Sequence, residues 1–237
     1  MTRTRWTFTW MLPATAAAIV CGLTFSAQAA PQTPQKDQPA KRVGDVYPLG
    51  VDPVTGADLT DVEKPVDLLY HGRDLHFADQ QNADAFQADP DKYLPHVDQL
   101  IIEQQKPLYP LDTCVVSGEK LGGDMGEPID RVIGNRLVRF CCPMCVGTFE
   151  KDPQKYLKKL DAAVIAKQLA DYPLSTCVVT GDKLGSMGKP IDYVSGDRLV
   201  RFCCAPCIAG FEKNPAHYLA MIDAAAKHEQ TPPAEAK

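Results

Sequence analysis

The sequence predicts an α+β fold built from three tandem small modules, and two observations support this prediction. A block of about sixty residues occurs three times, each copy opening on Tyr-Pro-Leu at Tyr47, Tyr109 and Tyr172. Inside each block, short apolar runs around a turn precede a helix-type pattern. Self-similarity at a fixed period is typical of repeat architectures. We therefore assign the repeats to residues 46–106, 107–169 and 170–228.

The first element of each block is a short turn closed by a glycine. That glycine stands four residues after one aligned position, which is aspartate in the first block and cysteine in the others. Glycine accepts the positive φ angle that a tight turn requires. We therefore predict a knuckle at each pair, namely Asp52 with Gly56, Cys114 with Gly118, and Cys177 with Gly181.

The second element is a β-hairpin. The apolar runs that end at Phe140 and Phe202 are interrupted by Gly134-Asn135 and by Gly196-Asp197. A glycine beside asparagine or aspartate between two apolar runs is a strong hairpin signal.

Helices complete each block. Asp152-Pro153 and Asn214-Pro215 supply an N-cap residue followed by a first-turn proline. Before the first of these pairs, residues 143–150 are predicted to form a short helical turn, whose free N–H groups would favour thiolates at nearby cysteines. A knuckle, a hairpin and C-terminal helices together form the layout of a treble-clef-like metal site.

Cysteines distinguish the second and third blocks from the first. Eight of the nine cysteines lie there, and the ninth is Cys21. Thiolates bind soft metals; a set of four sulfurs suits zinc, whereas two or three sulfurs suit copper(I), and the spacing leaves both open. The candidate ligands are Cys114, Cys141, Cys142 and Cys145 in the second block, and Cys177, Cys203, Cys204 and Cys207 in the third.

The run Cys114-Val-Val-Ser-Gly118, then Phe140-Cys141-x3-Cys145-x3-Phe149 and Asp152-Pro153-x-x-Tyr156-Leu157 resembles the TRASH and YHS group of small domains. The third block matches it too, so the resemblance covers roughly residues 46–225. It implies binding of a heavy-metal ion in sensing, trafficking or resistance. The ligands it implies are Cys114, Cys141 and Cys145, and Cys177, Cys203 and Cys207.

This chain departs from the family pattern in three ways. Cys142 and Cys204 add a fourth thiol to each cluster. The first block keeps the frame without any cysteine, which makes it a degenerate copy of the domain. The sequence shows no attached transporter or DNA-binding segment, so a sensing output would pass through a partner protein that exchanges metal with this one.

Two other interpretations of the cysteines remain open. Eight cysteines in an exported chain are compatible with a disulfide-stabilised structural or interaction protein, although adjacent cysteines bridge each other only with strain. Cys142-Pro-Met-Cys145 and Cys204-Ala-Pro-Cys207 are CxxC pairs, as in thiol oxidoreductases, but the βαβ surround of those enzymes is missing. Metal binding without catalysis is the favoured hypothesis.

A harder metal site in the first block is a weaker candidate. Its donors would be two histidines and two aspartates. They are His71, His76, Asp52 and Asp79.

The N-terminal residues predict export. Arg3 and Arg5 precede an apolar stretch at residues 11–25 and an Ala-rich end, which together are typical of a secretory signal peptide over residues 1–30. An uncleaved membrane anchor is the alternative. A periplasmic or secreted location, with no membrane span in the mature form, is therefore expected.

Two segments are predicted to be disordered because they lack apolar residues. They are the Pro-, Gln- and Lys-rich linker at residues 31–45 and the tail at residues 229–237. The net charge of −5, without a basic stripe, argues against a nucleic-acid partner.

Overall fold

The structure is a computed structural model that describes residues 42–229 of the 237-residue chain. The predicted signal peptide, residues 31–41 of the predicted linker, and all but the first residue of the predicted tail lie outside the described residues. Within 42–229 the chain forms six α-helices and three two-stranded antiparallel hairpins. The prediction of an α+β fold is therefore confirmed, and the arrangement is consistent with three repeated modules.

All three modules have the same order of elements: a knuckle, a hairpin and two helices. The first contains β1 (Val66–Tyr70), β2 (Arg73–Phe77), α1 (Gln80–Ala88) and α2 (Pro90–Gln105), followed by a 3-10 turn (Lys106–Leu108). The second contains β3 (Ile129–Ile133), β4 (Arg136–Phe140), α3 (Pro143–Lys151) and α4 (Pro153–Gln168). The third contains β5 (Ile191–Ser195), β6 (Arg198–Phe202), α5 (Pro206–Glu212) and α6 (Pro215–Glu229).

The knuckle has the predicted backbone in every module. In the second, the N–H of Gly118 donates to the carbonyl of Cys114 at 2.8 Å, and Gly118 has a φ of +81°. An isolated bridge between Thr113 and Lys120 closes the turn. The equivalent glycines are Gly56 with a φ of +70° and Gly181 with a φ of +77°.

Each hairpin turns through two residues. In the second module Ile133 pairs with Arg136, so Gly134 and Asn135 form the turn. Asn135 has a φ of +66°, which asparagine tolerates better than most residues. The turn of the third module is equivalent, with Asp197 at a φ of +60°.

Aromatic side chains fill the core of each module. In the second, the rings of Phe140 and Phe149 are fully buried with centroids 5.4 Å apart, and Tyr156 stacks on Phe149 at 5.6 Å. These contacts join the hairpin to both helices. Burial of each ring contributes on the order of 2 kcal/mol.

A glutamine at the end of one module's second helix binds the hairpin of the next module. Gln105 Nε2 donates to the carbonyl of Asn135 at 2.9 Å, and Gln105 Oε1 accepts from the N–H of Leu137 at 2.7 Å. Gln168 makes the same pair of bonds in the third module, where its partners are Asp197 at 2.7 Å and Leu199 at 2.8 Å. The modules are thus joined in sequence by repeated polar clamps.

The segment before the first module contacts all three hairpin turns. The N–H of Val43 donates to the carbonyl of Gly72, and the N–H of Asp45 donates to the carbonyl of Gly134, both at 2.7 Å. The N–H of Gly196 donates to the carboxylate of Asp45 at 2.7 Å. A Cβ at Gly134 would lie 1.6 Å from the carbonyl oxygen of Val43, so this approach requires glycine. Residues 42–45, at the end of the predicted linker, are therefore bound to the modules.

No helix within residues 42–229 is both long and apolar enough to cross a bilayer.

Candidate metal centre

The structure brings six of the eight predicted ligands into two groups of three. Within each group all sulfur atoms lie within 4.8 Å of one another, and all three cysteines are buried. The knuckle provides the first cysteine, the residue after the hairpin the second, and the first turn of the next helix the third. We call these groups triads: Cys114, Cys141 and Cys145 in the second module, and Cys177, Cys203 and Cys207 in the third.

The spacing of the sulfur atoms suits a bound ion. The sulfurs of Cys141 and Cys145 are 3.7 Å apart, and so are those of Cys203 and Cys207. A Zn–S bond of about 2.3 Å implies a separation of about 3.8 Å between two thiolates around a tetrahedral ion. Each triad therefore needs little rearrangement to bind a metal.

The knuckle cysteine is the natural thiolate of each triad. Burial alone would raise the pKa of Cys114, but the backbone N–H groups of Ser117, Cys141 and Val116, together with the Ser117 hydroxyl, lower it to about 7. Equivalent N–H donors lower the pKa of Cys177 to about 7. Both shifts favour the thiolate, which is the form that binds a metal.

The other two cysteines of the second module's triad differ from the expectation that the helix start favours thiolates. Burial, together with the sulfurs of Cys142 and Cys141, raises the pKa of Cys145 to about 12. The Ser117 hydroxyl lowers the pKa of Cys141, but burial and the sulfurs of Cys114 and Cys142 outweigh it, so that this pKa is also raised. Metal binding must therefore release protons from these thiols.

A hydroxyl group lies beside the second cysteine of each triad and was not predicted from the sequence. Ser117 Oγ lies 3.3 Å from Cys141 Sγ, and Thr180 Oγ1 lies 3.5 Å from Cys203 Sγ. The signal was present, because both modules carry a hydroxyl residue three places after the knuckle cysteine. Such outer contacts orient a ligand and tune its basicity.

The two remaining predicted ligands lie outside the triads. The sulfur of Cys142 is 3.6 Å from that of Cys145, and the sulfur of Cys204 is 3.2 Å from that of Cys207. All eight cysteines of the described residues are free thiols. The sulfur of Cys204 also lies 3.8 Å from that of Cys203, so the fourth thiol of the third module contacts two members of its triad.

The cysteine-free module fills the equivalent space with hydrogen bonds. Asp52 Oδ1 accepts from the N–H groups of Val54 at 2.8 Å and Thr55 at 3.0 Å. Its Oδ2 accepts from the N–H of Ala78 at 2.8 Å and from Asn82 Nδ2 at 3.0 Å. The corresponding N–H donors in the second module are those that lower the pKa of Cys114, namely Val116, Ser117 and Cys141. The same backbone pocket therefore receives a carboxylate in one module and a thiolate in the others.

The harder site considered for the first module is not formed. His76 Nε2 lies 3.2 Å from a carboxylate oxygen of Asp74, and Asp79 caps α1 by accepting from the N–H of Asn82 at 2.9 Å. Among residues 42–229, the groups of three or more His, Cys, Asp or Glu residues with metal-binding spacing lie in the cysteine clusters of the second and third modules.

Comparisons with models of protein families, with curated proteins and with solved structures find no match to this chain. The resemblance to the TRASH and YHS domains therefore rests on the residues of the repeats themselves.

Proposed function

We propose that this protein binds one thiophilic metal ion at each of its two triads and catalyses no reaction. The observation that carries the proposal is the recurrence of one buried three-sulfur group in two modules, each with a knuckle thiol whose pKa is lowered to about 7. The first module strengthens the argument, because it keeps the same fold with a hydrogen-bonded carboxylate at the knuckle.

The ion belongs to the zinc or copper(I) class. Three thiolates complete the coordination of copper(I), whereas zinc would take a fourth ligand in addition. Both ions favour sulfur, and the triads offer no oxygen or nitrogen donor within the groups that have ligand spacing.

The proposed role is buffering, trafficking or sensing of the ion outside the cytoplasm. The predicted signal peptide supports export, and the resemblance to TRASH and YHS domains supports a treble-clef-like metal module. A metal-transfer protein is the proposed partner.

The test is the metal content of protein purified without chelator and of apoprotein reconstituted with Zn²⁺ or with Cu(I). We expect two equivalents of one ion, one for each triad. The double variant Cys141→Ser and Cys203→Ser should lose both. Ala78→Ser is the matched control, since Ala78 holds the aligned position in the cysteine-free module, and it should retain both equivalents. A wild-type protein that binds neither ion would refute the proposal.

A disulfide-stabilised structural protein is the second candidate, and the separation of 3.2 Å between the sulfurs of Cys204 and Cys207 favours it. This candidate predicts no bound metal, four disulfides, and folding that survives chelation but is lost on reduction. Counting free thiols in the native protein separates the two functions. Reduction of insulin disulfides with turnover by the metal-free protein would instead indicate a thiol oxidoreductase.

A further inference from the structure

Cys142 and Cys204 add a fourth thiol to their clusters, and the role inferred for them rests on the proposed metal binding. Cys142 and Cys204 are not members of the triads. The sulfur of Cys142 lies 3.6 Å from that of Cys145, and the sulfur of Cys204 lies 3.2 Å from that of Cys207 and 3.8 Å from that of Cys203. An ion bound to either fourth thiol could therefore share Cys145 or Cys207 with the triad without leaving sulfur.

These fourth thiols are also the most exposed of their clusters. In the second module the exposed fraction rises from 1% at Cys114 through 7% at Cys145 to 9% at Cys142. In the third module Cys204 is half-buried, whereas Cys207 is only 4% exposed. An ion that arrives from solvent or from another protein would meet Cys142 or Cys204 first.

The fold does not need a cysteine at this position. Asp79 occupies it in the first module and caps α1 by accepting from the N–H of Asn82 at 2.9 Å. Cys142 occupies the N-cap of α3, so a thiol stands where the first module has a carboxylate. A good N-cap residue contributes about 1 kcal/mol to helix stability. Aspartate, which the first module has at this position, caps a helix well, so the start of the helix does not require the thiol of the second module.

We infer that Cys142 and Cys204 are transfer ligands, through which each triad exchanges its ion with a thiol-bearing partner. In the exchange, a bond forms between the ion and the sulfur of Cys142 while a bond to the partner's sulfur breaks. The ion then moves onto the triad through Cys145. Its oxidation state is unchanged, and each thiol that becomes a ligand releases its proton to solvent. Release of the ion follows the same steps in reverse.

The test uses the full chain and Cd²⁺, a soft ion whose bonds to thiolates absorb in the ultraviolet. Cd²⁺-loaded protein is mixed with excess dimercaptosuccinate, a dithiol that stands for the partner, and the loss of the thiolate absorption is followed in time. The variant Cys142→Ser and Cys204→Ser should still bind two equivalents with nearly unchanged affinity. Its transfer rate should fall at least about tenfold, the effect of roughly 1.4 kcal/mol on a barrier. Serine is a good N-cap at position 142, and it is close in size to cysteine at both positions, so the variant should keep the fold.

The outcomes separate this inference from the proposed function. If the wild-type protein takes up no Cd²⁺, both the proposed metal binding and the inferred transfer role are refuted. A variant that loses an equivalent of Cd²⁺, or whose affinity falls as much as that of Cys141→Ser with Cys203→Ser, would show that the fourth thiols hold the ion instead. An unchanged transfer rate would overturn the inference while leaving metal binding intact.

Discussion

Asn82 Nδ2 donates a hydrogen bond of 3.0 Å to Asp52 Oδ2, and this bond joins the knuckle of the first module to its first helix. The aligned positions hold Cys114 and Cys145 in the second module, where both belong to the triad. A hydrogen bond therefore connects, in one module, the two elements that a bound ion would connect in the others.

Replacing Asp52 by alanine should destabilise the protein by about 2–4 kcal/mol, because three backbone N–H groups and one side-chain amide would lose their acceptor at once. Asp52 is buried and accepts four hydrogen bonds, from Val54, Thr55, Ala78 and Asn82. Urea unfolding measures the change. Asp79→Ala, which removes only the cap of α1, is the control and should cost about 1 kcal/mol. An equal loss in the free energy of unfolding for the two variants would show that the hydrogen bonds to Asp52 contribute no more than one helix cap.

A third metal site should result from cysteines at the three aligned positions of the first module. The variant Asp52→Cys, Ala78→Cys and Asn82→Cys supplies the missing sulfurs, while the N–H donors of Val54 and Thr55 remain to stabilise a knuckle thiolate. We expect the number of bound Zn²⁺ or Cu(I) ions to rise from two to three, as measured by elemental analysis of reconstituted protein. The pair Ala78→Cys and Asn82→Cys, without the knuckle cysteine, is the control and should remain at two.

The parts of the fold that were predictable are set by local residues. Glycine at 118, the Gly134-Asn135 pair and Asp152-Pro153 each favour one backbone conformation, whatever surrounds them. The resemblance to TRASH and YHS domains implied the two triads that the structure brings together. The spacing of the cysteines alone did not separate the triads from Cys142 and Cys204.

The contacts between modules were equally hidden in the sequence. Gln104 and Gln105 are adjacent and chemically identical, yet Gln104 is exposed and Gln105 is fully buried. Only the packing of α2 on the next hairpin distinguishes them. A signal nevertheless existed, since Gln105 and Gln168 occupy the same place in their repeats.

Removal of the first clamp should loosen the second module from the first. Gln105→Ala deletes both bonds to the hairpin and leaves the N–H of Leu137 and the carbonyl of Asn135 buried without partners. We expect a loss of about 2–3 kcal/mol in urea unfolding. Gln104→Ala is the matched control; its one bond, to the carbonyl of Pro48, is 3.5 Å long, so the loss should be below about 0.5 kcal/mol. Similar losses in the free energy of unfolding for the two variants would show that Gln105 does not join the two modules.

A buried charge cluster lies where the hairpin turns meet. Arg136, which is 1% exposed, donates through Nε to Asp197 Oδ1 at 2.7 Å and through Nη1 to Asp45 Oδ2 at 2.9 Å, and its Nη2 lies 3.3 Å from Asp161 Oδ1. The other carboxylate oxygen of Asp197 is buried without a hydrogen-bond partner. Burial raises the pKa of Asp197 to about 6; Arg136 opposes this shift, while Asp45 and Asp161 add to it.

The free energy of unfolding of Asp197→Asn, relative to that of the wild type, should therefore rise with pH. Since the folded pKa lies above the unfolded value of 3.8, the wild-type contribution is complete below pH 3.8 and is lost as the pH rises through about 6. The difference in the free energy of unfolding, variant minus wild type, should increase by on the order of 2 kcal/mol between about pH 4 and pH 7. Asparagine suits the turn, because Asn135 has the same left-handed conformation there. Urea titrations at several pH values measure this difference, with the exposed Asp171→Asn as control. A difference that does not change with pH would show that Asp197 stays ionised throughout.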